Sequence, residues 1–330
     1  MIRFAVLGCG RIGRMHARNL ARHPRAELVS VFDIVAKSAA DTAAELGVTA
    51  AATVEEILAD TRVQAVLIAT STDTHVKLII AAAKAGKAVL CEKPIDLDLK
   101  RAEACGAEIA PLGATVMIGF NRRFDPSFRA VRERIQAGEI GTVEQVVITS
   151  RDPAPPPVAY IKVSGGLFRD MTIHDFDMAR YLVGDIDSVF AYGGNLVDPE
   201  IAAAGDIDVA MVVLRAKSGA LVHINNSRRC TYGYDQRVEA FGSGGMLQAQ
   251  NRFATSVQSW GKHGTGTRDL VQPFFIERYA EAYAAEVDNF VQSVLAGQAP
   301  LATFADGVAA LKLAEAAGES LKTGRAISLG

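Results

Sequence analysis

The chain has 330 residues, with 35 basic against 37 acidic side chains and a formal net charge of −2. That length predicts two domains with ample chain to bury a core, and the balanced charge leaves no basic excess to hold nucleic acid. No run approaches the roughly 18 apolar residues that cross a membrane, no signal-peptide pattern opens the chain, and the four cysteines form no CxxC pair, which together point to a cytoplasmic protein with reduced thiols.

Ile2 to Leu7 is a short apolar run with strand character, followed at once by Gly8-Cys9-Gly10-Arg11-Ile12-Gly13 and a helical stretch from Arg14 to Arg22. Glu27 to Phe32 reads as a second strand, closed by Asp33. In this order the parts form a dinucleotide fingerprint. Gly8 permits the tight turn, Gly10 lets backbone approach a pyrophosphate, and Gly13 allows close helix–strand packing. The helix start then offers N–H groups and the positive end of its dipole to the phosphates. Asp33, 20 residues beyond Gly13, is placed to accept from ribose hydroxyls and to repel a 2′-phosphate, which favours NAD over NADP.

Alternation continues through a helix at 36–46, a capping box at Thr53-Val-Glu-Glu56, a strand at 63–70, a helix at 74–85 and a strand from Ala88 to Cys91. That last strand delivers Glu92-Lys93-Pro94 to the carboxyl end of a parallel sheet, where open α/β folds bind ligands. A helix at 98–109 and a strand at 115–120 complete a doubly wound pattern. Asn121 and Arg122 follow that strand directly, so they are candidates to line the crevice beside the cofactor. The style then changes. After a helix at 126–137 come strands at 143–151, 189–193, 209–216, 220–227 and 237–241, and closing helices at about 279–295 and 304–323. The predicted architecture is α/β. A Rossmann domain covers 1–122, and an α+β domain with a large, open, mainly antiparallel sheet covers 123–330, its last helices being candidates to pack back on the Rossmann domain. Pro153 to Pro157 reads as a stiff loop.

Asp170 and His174, four residues apart, share one face if helical. With Gly8–Gly13, Glu92-Lys93-Pro94, Gly119-Phe-Asn-Arg-Arg-Phe124 and the stretch from Gly165 to Asp177, they carry a resemblance to the Gfo/Idh/MocA oxidoreductase family along the full length. Within it, Ser150-Arg-Asp-Pro153 and Ser227 to Arg237 are similar to stretches of the inositol dehydrogenases. The resemblance implies a catalytic set of Lys93, Asp170 and His174. Oxidation of a secondary alcohol releases a hydroxyl proton, and histidine is the side chain whose unperturbed pKa, about 6.5, suits that task. It also implies cofactor contacts from Thr70, Ser71, His75 and Glu92, although many relatives carry Pro-Asn where this chain has Ser71-Thr72. The implied substrate is a cyclic polyol, myo-inositol first, with scyllo-inositol or a pyranose sugar as the alternative. Arg151, Asp152 and Tyr234 are the further substrate candidates, since a buried hydroxyl left unpaired costs about 1–3 kcal/mol. A non-catalytic nucleotide sensor on the same scaffold would need no such acid–base set.

The remaining histidines show no ligand spacing, so no metal is expected. Asp175 and Asp177 read as capping and pairing within their own helix. Alternating apolar residues Val209, Met211, Val213, Leu221 and Ile224 predict an exposed sheet face and hence a homo-oligomer, a tetramer by resemblance.

Overall fold

The computed structural model describes residues 1–330. The chain divides into two units, Met1–Phe124 with Glu281–Lys312 and Asp125–Ala280 with Leu313–Gly330. Each is built from two segments far apart in sequence.

The first unit runs β1 (Ile2–Leu7), α1 (Arg11–Arg22), β2 (Ala26–Phe32), α2 (Ala36–Leu46), β3 (Thr49–Ala50), α3 (Val54–Ala59), β4 (Ala65–Ile68), α4 (His75–Lys84), β5 (Ala88–Cys91), α5 (Leu99–Ile109) and β6 (Val116–Ile118). The sheet order is β3-β2-β1-β4-β5-β6, and every pairing is parallel. Chain order reverses between β1 and β4, which creates a switch point at their carboxyl ends. Both strands are apolar runs because helices cover both sheet faces. All of β1 except Arg3 is buried, and so is all of β4. Thr53 caps α3 by accepting the Glu56 N–H. Glu56 reaches back to the Ala52 N–H, one residue beyond the Thr53 N–H that the capping box uses.

The second unit contains α6 (Pro126–Gln136), β7 (Val143–Arg151), α7 (Val158–Ser164), α8 (Ile173–Val183), β8 (Ile186–Gly194), α9 (Pro199–Ala203), β9 (Val209–Ala216), β10 (Leu221–Ser227), β11 (Asp235–Gly242), β12 (Gly245–Ala249), a hairpin of β13 (Gln258–Gly261) and β14 (Gly264–Arg268), and α10 (Phe275–Arg278). Helices α11 (Ala280–Ala296) and α12 (Phe304–Thr323) and the short β15 (Ile327–Ser328) end the chain. The large sheet is ordered β12-β11-β7-β10-β9-β8-β15. Its pairings are antiparallel except β7 with β10, which is parallel. The sheet is therefore mixed rather than wholly antiparallel.

Strand alternation is clean in β9, where Ala210, Val212, Leu214 and Ala216 are buried while Met211 and Val213 are exposed. Ile224 pairs in register with Val212 and is fully buried, so it belongs to the covered face and not, as expected, to the exposed one. The Pro-rich loop ends at Pro157, which starts α7, a helix absent from the sequence-based expectation.

Candidate active site

The glycine loop follows from sterics. Gly8 adopts φ +98°, and a Cβ there would lie 2.4 Å from the Ala69 carbonyl oxygen. A Cβ on Gly13 would lie 1.9 Å from the Gly8 oxygen, whereas one on Gly10 would meet nothing within 4 Å. Gly10 thus faces open space at the start of α1, where no side chain caps the helix. Arg11, Ile12 and Gly13 form the first turn, whose N–H groups have no intrahelical acceptor. This cradle suits a pyrophosphate in backbone shape and in the sign of its field. Asp33 is fixed beside it: Oδ2 accepts the Cys9 N–H at 2.7 Å and Oδ1 the Val35 N–H at 2.8 Å. The carboxylate therefore ties the end of β2 to the loop and keeps lone pairs for a ribose.

Three further loops leave carboxyl ends of the same sheet. After β4, Thr70 and Thr74 share a hydroxyl hydrogen bond of 2.6 Å, and Ser71 leads into a short 3₁₀ turn. His75 is buried, with Nδ1 2.8 Å from the Pro94 carbonyl oxygen and Nε2 3.2 Å from that of Thr70. Burial lowers its pKa, and the two carbonyls oppose that shift. Both ring nitrogens thus face backbone, so His75 joins the loop after β4 to the Glu92-Lys93-Pro94 turn. The Lys93–Pro94 peptide is cis. The Glu92 carboxylate meets His16 Nε2 of α1 at 2.8 Å. After β6, Asn121 and Arg122 lie in a 3₁₀ turn and are both buried. That rules out a solvated surface charge for Arg122. Its neighbour Arg123 binds the Leu301 carbonyl at 2.6 Å and Asp306 at 3.1 Å.

In the second unit, a π-helical turn at Phe168–Thr172 runs into α8, so Asp170 and His174 lie on one continuous helical path. Such π turns recur at functional sites. Both oxygens of Asp170 are engaged. The Tyr160 hydroxyl, from α7, donates to Oδ1 at 2.9 Å, and Arg228 Nη1 donates to Oδ2 at 3.3 Å. Arg228 is fully buried and reaches Asp206 through Nη2 at 3.5 Å. Asp206 in turn accepts the Leu167 N–H at 3.0 Å and closes over Gly166 (φ +85°), where a Cβ would lie 2.8 Å from its Oδ1. Burial raises the Tyr160 pKa, the Asp170 charge raises it further, and Asp152 adds a smaller push. Tyr160 is thus held as a neutral donor. These groups assemble around Asp170, and Tyr160, Asp206 and Arg228 carry no sequence pattern that singles them out.

The phase of α8 is set by Asn226 of β10. It accepts from the Thr172 hydroxyl at 2.7 Å and donates to Asp175 at 2.8 Å. Asp175, in the first turn of α8, therefore also pairs with the sheet. Arg151 pairs in register with Ser227 and Asp235, on the sheet face opposite Asn226. Its guanidinium binds Asn225 at 3.0 Å, the Tyr232 hydroxyl at 3.0 Å and Asp235 at 3.4 Å. Burial first, and then its bond to Asp235, push the Tyr232 pKa up to about 12. Tyr234 is buried, its ring edge-on to Phe274 at 5.9 Å and Tyr279 at 6.0 Å.

Residues 2–120 match the oxidoreductase family with an NAD-binding Rossmann fold, and residues 128–248 match the GFO/IDH/MocA C-terminal domain. A protein of Rhizobium meliloti (strain 1021) named inositol 2-dehydrogenase is 48% identical over 329 residues, 99% of each chain. The crystal structure of a myo-inositol dehydrogenase from Corynebacterium glutamicum superposes with a TM-score of 0.97 at 48% identity, covering 100% of this chain and 99% of that one. A scyllo-inositol dehydrogenase from Lactobacillus casei, solved with NAD(H) and scyllo-inositol, gives 0.92 at 30% identity and 99% coverage of both chains. The Rossmann unit with its glycine cradle, the mixed second sheet and these matches along the whole length agree: the chain belongs to the Gfo/Idh/MocA family of NAD-binding oxidoreductases.

Proposed function

We propose that the protein oxidises one ring hydroxyl of myo-inositol to the ketone, 2-keto-myo-inositol (scyllo-inosose), with NAD as acceptor. The observation that carries this reading is the 48% identity over 99% of both chains to a protein named inositol 2-dehydrogenase. Bound NAD supplies the acceptor for a hydride. With the hydride acceptor supplied by the cofactor, His174 would take the hydroxyl proton as the ring C–OH is oxidised to C=O. Lys93 stabilises the developing alkoxide charge. Asp170, held by Arg228 and Tyr160, is proposed to accept from a substrate hydroxyl. Asp152 is proposed as a further acceptor for the polyol. Arg151 and Tyr234 are proposed as further substrate-binding residues. Thr70, Ser71, His75, Glu92, Asn121 and Arg122 are proposed to contact NAD, with His75 also joining the loop after β4 to the turn after β5.

A panel of inositols and pyranose sugars with NAD and NADP, followed by absorbance of the reduced cofactor, tests the reading. The highest specificity constant is expected for myo-inositol with NAD. A far higher constant for scyllo-inositol would select the second reading, which the Lactobacillus casei relative favours, and no polyol oxidation at all would refute both.

We also propose a homotetramer working in the cytoplasm. The outer face of the second sheet exposes Tyr192, Met211, Val213, Leu221, Phe241 and Met246, an apolar patch of the kind that marks an interface. No helix is long and apolar enough to cross a membrane. Light scattering at micromolar protein should return four chain masses, and a monomer would refute the assembly.

A further inference from the structure

Three ionisable side chains meet inside the first unit. His16 of α1 has Nε2 at 2.8 Å from Glu92 Oε1 and at 4.0 Å from Glu286 Oε2 of α11. The nearest ligand atoms of the three groups all lie within 4.8 Å of one another. His16 is 1% exposed and Glu286 0%. Neither Glu286 oxygen has a hydrogen-bond partner, nor does Nδ1 of His16. The Tyr283 ring stands edge-on to the imidazole at 5.5 Å. Gly119 closes the side beside Glu92, where a Cβ would fall 2.9 Å from Oε2.

Charge counting limits what this cluster can be. With both carboxylates ionised, even an imidazolium would leave one buried negative charge unbalanced, at a cost of several kcal/mol. Buried acids escape that cost by taking up a proton. Glu92 already faces a ring nitrogen, so Glu286, fully buried and unpartnered, is the group that neutralises. Burial and then the Glu92 charge move its pKa well above the ordinary carboxyl value. A divalent ion is the competing explanation of a His-Glu-Glu set. Tetrahedral zinc bonds of about 2.0–2.1 Å would separate neighbouring ligand atoms by roughly 3.3 Å. His16 and Glu92 are instead at direct hydrogen-bonding distance.

We propose that Glu286 is a positioning residue: a neutral carboxylic acid that, with His16, fixes the Glu92 side chain and through it the turn carrying Lys93. The positioning half rests on the reading that Lys93 serves polyol oxidation, whereas the protonation half does not depend on it. Infrared difference spectra of the full-length protein at neutral pH, wild type minus Glu286→Gln, test the protonation half. A carbonyl band of a protonated carboxyl, shifted by isotopic labelling of glutamate, is expected. Its absence, or one tightly bound divalent ion per chain by elemental analysis, overturns the proposal. Steady-state kinetics test the positioning half. Glu286→Ala and Glu286→Leu should lower kcat by about 10-fold to 10²-fold, as loss of a group behind a catalytic residue does. Their NAD dissociation constants should stay close to wild type, and Glu286→Gln should restore most of the turnover. Full turnover in the Leu variant, or a Gln variant as impaired as Ala, would sink the positioning role. A wild type inactive on every polyol would instead remove the functional reading and leave the infrared result standing.

Discussion

Asp33 does two jobs, and replacing it separates them. Its two oxygens accept the Cys9 and Val35 N–H groups at 2.7 and 2.8 Å. In Asp33→Asn only one oxygen remains, so one N–H must face the side-chain amide nitrogen. Cys9 is 2% exposed and Val35 56%, so water can serve Val35 while the amide oxygen turns to Cys9. The folded state then loses about 1 kcal/mol, the net worth of one hydrogen bond. Asp33→Ala strands the buried Cys9 N–H as well, for about 1–3 kcal/mol, a fall of roughly 2–4 °C in Tm for each kcal/mol. Specificity follows the charge instead. Unit charges 4–8 Å apart at an effective dielectric of 20 repel by about 2–4 kcal/mol, so either variant should raise the NADP-to-NAD ratio of kcat/KM by roughly 30-fold to 10³-fold. Initial rates with both cofactors, beside thermal unfolding, give the two readouts. Equal use of NADP by the wild type, or an Asn variant with an unchanged ratio, would refute the reasoning.

The glycines should separate in the same way. Gly10→Ala has room for its methyl and should keep the wild-type Tm while losing NAD affinity, read by fluorescence titration; Gly13→Ala meets the Gly8 carbonyl and should lose stability as well. His174→Ala should lower kcat by about 10²–10⁴-fold with NAD affinity nearly unchanged, whereas Lys93→Ala should impair both turnover and NAD binding; near-normal turnover without His174 would mean another group takes the proton. Because the folded-state pKa of Glu286 is raised above its ordinary value of 4.5, the stability from its neutral form is complete below that value and is lost as pH rises toward the folded pKa. Glu286→Gln should therefore gain stability over wild type progressively above pH 4.5, measured by urea unfolding from acid to mildly alkaline pH.

The fingerprint is legible in sequence because each of its residues acts locally: a turn, a helix start and an acid at a strand end are all set by near neighbours. Strands β7 and β9 and helices α2 and α12 are likewise readable from periodicity. What sequence does not disclose depends on register and on partners far along the chain. The parallel pairing of β7 with β10 and the inward side of Ile224 are fixed by long-range strand alignment. Arg228 and Arg229 are adjacent and chemically identical, yet only the first is buried against Asp170 and Asp206. Glu286 looks like any helix-surface acid until α11 is placed against His16. Tyr160 is hidden because the proline run masks the start of α7.

The first unit is discontinuous in sequence, and that has a consequence for biosynthesis. Its sheet is spelled by residues 1–124, but its packing draws on 281–312: Phe290 lies against Phe4 at 5.9 Å, and the Ala302 carbonyl accepts the Ile118 N–H at 3.0 Å. Domains ordinarily mature as they leave the ribosome, the N-terminal one first. Here the nucleotide-binding half must wait, with part of its interior uncovered, until almost the whole polypeptide has been translated. A gene cut near codon 124 should therefore yield a fragment that seeks chaperones rather than NAD, and adding 281–312 in trans should rescue it.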